Sequence, residues 1–214
     1  MRNKGFLGVE WVVAIGITLI LMVMITPILG NVKEGGKEDC MSNLKQIGVA
    51  LNMFAQDHQG NLPVYGHRLN GDPHNEYEFY YPGEIKEGGD YTHLGLLYAG
   101  GYLKDGHTFY CPDDQEWTYN SQWVSNQPTK PRTVAGYLYR YTTSIPYRID
   151  SFKSLAVVAD RFFDGIAHQD GYNVLYGDGS VKWYSDPAGS VKAPGGGPVN
   201  NGHDDVWSIF DSEH

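Results

Sequence analysis

The sequence predicts an α+β fold, in which a long N-terminal α-helix, apolar enough in its first half to cross a membrane, packs on an antiparallel β-sheet head with long loops. Three observations predict it. Residues 6–29 are nearly all apolar, and Glu10 is the only charge among them. Apolar residues then recur at helical spacing from Cys40 to Ala55. In the C-terminal half, short β-prone runs are separated by turn residues, most clearly at 172–184. The 214 residues make one domain of ordinary size, and a 41% hydrophobic, 19% charged composition is that of a chain that folds.

At about 1.5 Å per residue, 6–29 is long enough for a bilayer core of roughly 30 Å. Arg2 and Lys4 precede it, which keeps the start of the chain cytoplasmic and sends the remainder outward. A secretory signal peptide has a shorter apolar run followed by a small-residue cleavage site, and no clean one follows here. A plain anchor leaves Glu10 unexplained, because a carboxylate within an apolar span costs a few kcal/mol and usually has a partner. Pro27 removes a helical hydrogen bond, and Gly30, Gly35 and Gly36 each weaken a helix by about 1 kcal/mol. A kinked or locally extended stretch is therefore expected within 26–36.

The second helical half, within 30–59, buries one stripe: Cys40, Met41, Leu44, Ile47, Leu51, Phe54 and Ala55. Gly60-Asn61-Leu62-Pro63 stops it. The head occupies 60–185. There, 91–114 reads as a short helix and turn followed by an extended piece ending at Pro112, and 117–132, polar and aromatic without a period, as a surface loop. Tyr137–Tyr141 and Leu155–Ala159 read as strands. Tyr172–Tyr176 and Ser180–Tyr184 flank Gly177-Asp178-Gly179 as a hairpin, with Asp178 and Gly179 at positive φ.

His168, Asp178 and Asp160 have the side chains to bind a metal or move protons. The plainer reading makes Asp178 and Gly179 turn residues and has His168 hydrogen-bond nearby backbone. No nucleophile motif, phosphate loop, Cys/His zinc spacing or haem signature is present, so no catalytic residue is assigned. Cys40 and Cys111 are compatible with one disulfide joining spine helix to head; two free thiols, or Cys40 facing a neighbouring subunit, are the alternatives. A net charge of −9 argues against nucleic acid as a partner.

Three segments together carry a resemblance. Lys4-Gly5-Phe6-Leu7-Gly8-Val9-Glu10 resembles the type IV prepilin processing site, with Leu7 and Gly8 where the family usually has Thr then Leu. Cys40-Met41-Ser42-Asn43-Leu44-Lys45-Gln46-Ile47-Gly48 and the H-x9-D-G motif at His168, Asp178 and Gly179 resemble a large pseudopilin-like bacterial family. The resemblance implies a 1–5 leader cut between Gly5 and Phe6 by prepilin peptidase, with methylation of Phe6. It also implies that Glu10 neutralises the α-amino group of Phe6 on a neighbouring subunit, and that Pro27 matches a proline common in pilin helices. The implied partners are other copies of the chain, the peptidase with the inner-membrane assembly machinery, and the membrane before assembly. The implied location is the bacterial inner membrane, then the cell surface. The 186–214 tail, Gly-rich at Gly195-Gly196-Gly197 and acidic at Asp204 and Asp205, resembles the calcium loop of secretion pseudopilins; a solvated acidic loop is the plainer reading. No other cofactor is expected.

The expected function is thus a non-enzymatic structural subunit of a pilus-like or type II secretion-like filament. The alternative is a membrane-anchored minor pseudopilin that binds sugar or exported protein through Trp117, Tyr119 and Trp123. A third reading, an anchored hydrolase, rests on His168 and the aspartates alone.

Overall fold

The computed structural model describes residues 11, 13–18, 32–63, 78–80, 91–124, 127–128, 133–140, 147–162, 167–191 and 201–214. The chain divides into two compact units, Met1–Gly36 and Lys37–His214. In the first, residue 11 and residues 13–18 are helical, and Trp11, Val13, Ile15 and Ile17 are exposed. Among the described residues, no helix is long and apolar enough to cross a membrane. Gly5, Phe6, Glu10 and Pro27 lie outside the described residues.

Helix α1 runs Val32–Asp57. It includes Gly35 and Gly36, so the extended stretch expected in 26–36 does not reach 32–36. Two glycines cost a helix about 2 kcal/mol, less than the packing of the turns that follow supplies. Cys40, Leu44, Ile47, Leu51 and Phe54 are buried, each large apolar side chain contributing about 1.5–3 kcal/mol, while Val49 and Met53 stand exposed. The helix ends where the sequence indicates: Gly60 takes φ +87° and its N–H donates to the Ala55 carbonyl at 2.7 Å.

The head is α+β, with a four-stranded antiparallel sheet in the order β5 (Tyr137–Tyr139), β6 (Ala156–Asp160), β7 (Gly171–Tyr176), β8 (Val181–Ser185). Every residue of β5, β6 and β7 is buried, because both faces of the sheet are covered. Tyr137, Tyr139 and Leu175 join the core formed with α1, and Leu138, Val174 and Tyr172 join a second core. That second core is filled by α4 (Asn201–Asp211), through Val206, Trp207 and Phe210. The tail read as a Gly-rich loop thus ends in a helix docked on the head. The backbone of α1 lies so near the sheet that a Cβ on Gly48 would meet Leu175 Cδ1 at 2.9 Å.

The β7–β8 hairpin forms as expected, but its turn chemistry differs. The Gly179 N–H donates to the Tyr176 carbonyl at 2.9 Å, and only Gly179 (φ +86°) among the three loop residues enters the left-handed region. This is a three-residue loop closed by a left-handed glycine, so Asp178 needs no positive φ.

The described residues of 117–132 form regular elements rather than a surface loop. Two short helices, α2 (Gly95–Ala99) and α3 (Tyr119–Gln122), follow in the head, and α3 leads into β2 (Trp123–Val124), which pairs with β3 (Gln127–Pro128). A further pair joins β1 (Glu78–Tyr80) to β4 (Thr133–Val134). Trp123 anchors this region. It is buried among Phe79, Tyr98 and Tyr119, and its Nε1–H donates to the Tyr110 hydroxyl at 2.8 Å. Burying an indole ring with a satisfied N–H outweighs the absence of any sequence period.

Candidate functional site

The head gathers its most reactive side chains at one buried point from four segments. Cys40 comes from α1. Cys111 follows the 3₁₀ turn Gly106–Phe109, whose entry is fixed by the Asp105 carboxylate accepting the His107 N–H. The two cysteines form a disulfide across Cα atoms 4.9 Å apart, stapling α1 to the head. Asp160 ends β6, and His168 precedes β7. All four residues are buried, and their sulfur, nitrogen and oxygen atoms lie within 4.8 Å of one another.

The imidazole is held from both sides. His168 Nδ1 lies 3.1 Å from Asp113 Oδ2. Its Nε2 lies 3.4 Å from Cys111 Sγ, 3.4 Å from Asp160 Oδ2 and 3.4 Å from Asn173 Nδ2. Asn173 Nδ2 can only donate, so these partners favour the tautomer with the proton on Nδ1 and the Nε2 lone pair facing the cluster. Burial holds the ring below its ordinary pKa, against the pull of Asp113. Burial also pushes Asp160 up to about 7, although Oδ2 accepts the Asn173 N–H at 2.5 Å. Asp160 Oδ1 is buried without a hydrogen-bond partner.

A second buried group stands beside it. Arg161 is buried and donates to both oxygens of Asp114 at 2.9 Å, and to Glu116 at 3.0 Å. Asp114 Oδ1 also accepts the Glu116 and Trp117 N–H groups. The clamp fixes the loop that follows Cys111-Pro112 and carries Asp113, and the Arg161 guanidinium lies 4.8 Å from the Trp117 ring centroid. A cleft of about 540 Å³, lined by Asp39, Ser42, Asn43, Gln115 and Asn120, reaches Cys111.

The sequence-derived candidates separate. His168 and Asp160 come together, but the partners of His168 are side chains rather than nearby backbone. Asp178 sits apart and exposed on the hairpin turn, accepting the Ser180 N–H at 2.8 Å and facing His214 Nε2 at 3.2 Å. Asp204 and Asp205 lie on α4 instead of a loop, where carbonyls are committed to the helix ladder; Asp205 is exposed. Of the three proposed sugar-stacking rings, Trp123 is buried, and Tyr119 lies between His107 and Trp123. Sequence reasoning missed Asp113, Asp114, Arg161 and Asn173. The adjacent acids of Cys111-Pro112-Asp113-Asp114 and the charged pair closing β6 were the available signals.

Chemically the arrangement is a disulfide flanked by a neutral imidazole and a buried carboxyl. Among the described residues, His168 faces two carboxylates, a sulfur and an amide. Compared with protein-family models, curated proteins and solved structures, the chain matches none of them.

Proposed function

We propose that this chain is a structural subunit of an extracellular type IV pilus-like or type II secretion-like filament, anchored in the bacterial inner membrane before assembly and polymerising through its apolar N-terminal segment. The observation that carries the reading is the 6–29 stretch with its lone Glu10, running toward an amphipathic helix that lays one stripe on an antiparallel sheet. Glu10 costs free energy in hydrocarbon unless paired, and the Phe6 α-amino group of a neighbouring copy is the partner the prepilin resemblance implies. The disulfide supports the reading because such a bond persists in an oxidising compartment. The role we assign is a non-enzymatic one.

The test is the intact mass and N-terminal peptide of the protein sheared from cells. A chain beginning at methylated Phe6 is expected. A chain beginning at Met1 in sheared filaments overturns the processing, and absence from sheared material overturns the filament.

A second reading is favoured by the polar cleft beside α1: an anchored minor pseudopilin that binds sugar or exported protein there. Abundance separates the two, since a major subunit dominates sheared surface material and a receptor does not.

A further inference from the structure

The cluster around the disulfide has the organisation of a metal centre in its other oxidation state. Tetrahedral zinc holds sulfur at about 2.3 Å and nitrogen or oxygen at about 2.0–2.2 Å, which sets ligand–ligand edges of about 3.3–3.8 Å. His168 Nε2 already stands 3.4 Å from Cys111 Sγ and 3.4 Å from Asp160 Oδ2. All four candidate ligand atoms lie within 4.8 Å of one another, and the edge between the two sulfurs, which are joined in the disulfide, must lengthen when a metal binds.

The surroundings match as well. Metal-bound histidines pass their other ring N–H to a carboxylate, which fixes the tautomer and orients the ring. His168 Nδ1 faces Asp113 Oδ2 at 3.1 Å. Ligating carboxylates are themselves hydrogen-bonded, and Asp160 Oδ2 accepts the Asn173 N–H. Asp160 Oδ1, wholly buried, has no partner. An isolated buried carboxyl oxygen is costly, and a cation supplies what it lacks. The cleft reaching Cys111 offers a route for a reductant and an ion.

We infer that the reduced chain binds one zinc-class divalent cation through Cys40, Cys111, His168 and Asp160, and that disulfide and metal are alternative states of one site. A dithiol reductant converts the disulfide to two thiols and is itself oxidised to a disulfide. Metal binding then displaces the proton of each thiol as both sulfurs become thiolates, and Asp160 ligates as the carboxylate. Exchange with an oxidised dithiol runs the cycle backwards: two electrons leave the thiolates, the S–S bond re-forms, and the cation is released. In either state, α1 stays tied to the head at the same place.

The experiment titrates Co²⁺ into the full-length chain, oxidised and anaerobically reduced. We expect the reduced chain to bind one Co²⁺, with thiolate-to-cobalt charge transfer and tetrahedral visible bands, and the oxidised chain to show neither. Asp113→Asn, on a half-exposed residue that supports the histidine without ligating, should weaken binding about 10–100-fold. A reduced, folded chain without charge transfer overturns the inference, as does equal binding by the Cys40→Ser/Cys111→Ser chain. If reduction unfolds the chain, restoration of native circular dichroism by Zn²⁺ supports the site, and failure to restore it overturns the site.

Discussion

The two faces of the central sheet are covered by helices held in different ways. On one face, α1 is bonded covalently at Cys40, and polar side chains sit beneath it: Asn173 reaches the Lys37 carbonyl at 3.3 Å and Tyr137 the Cys40 carbonyl at 3.4 Å. On the other face, α4 is held without covalent help. Trp207 and Phe210 interlock with Phe162, and Asp211 takes both the Arg140 guanidinium and the Ala156 N–H. The α1 attachment adds to its native packing a cross-link that acts largely by restricting the unfolded chain, whereas α4 relies on native contacts. The polar chemistry collects on the face whose helix is already secured, where an imperfectly satisfied carboxyl is tolerated.

Four measurements break or sharpen this contrast. The largest effect is expected on the α4 face: Trp207→Ala should cost about 3–5 kcal/mol by urea unfolding, with an unchanged m-value. A loss below 1 kcal/mol would mean that α4 is not docked through Trp207. On the α1 face, replacing both cysteines by serine removes a cross-link of sequence separation 71 and should cost about 4 kcal/mol in the chain-entropy model. Here the m-value should rise, because the unfolded chain expands; an unchanged m-value would place the stabilisation in the native state.

The third measurement is pH-dependent. Asp160 carries a folded-state pKa raised to about 7 from 3.8, so the folded protein holds its proton more tightly than the unfolded one. Its contribution is fully present below pH about 3.8, falls as pH rises toward 7, and is flat above. In the disulfide-bonded protein this amounts to a few kcal/mol. Asp160→Asn should flatten that part of the stability–pH curve, and a retained slope would assign it to another group. The smallest effect belongs to the exposed turn: Asp178→Asn keeps the acceptor for Ser180 and removes one charge, so stability should move by less than about 0.5 kcal/mol. A larger loss would show that the Asp178–His214 contact helps hold the C-terminal residues.

Local pattern made the spine helix and the hairpin legible. The α1 stripe repeats at 3.6-residue spacing, and the β7–β8 turn announces itself through Asp178-Gly179. Helix α4 was hidden because Val206, Trp207 and Phe210 follow a glycine-rich, acidic stretch that reads as loop. Trp123 reads as a surface ring in the sequence because an aromatic in a patternless segment gives no sign of what covers it. Two cysteines left one intrachain pairing, yet whether it formed depended on a tertiary approach of α1 to the 106–111 segment. The site itself had no spacing to read: Cys40, Asp113, Asp160, His168 and Asn173 meet only after a helix, a turn and two strands have packed.

The disulfide also has a mechanical consequence. In a chain pulled from its two ends, the load crosses from residue 40 to residue 111 through the S–S bond, and the segment between them carries none. At up to about 3.6 Å per residue, that segment is roughly 250 Å of contour length withheld from extension. The chain under tension would therefore lengthen in two regimes, short with the bond intact and much longer once it is reduced, so the same bond that fixes α1 on the head also sets how far the protein can stretch.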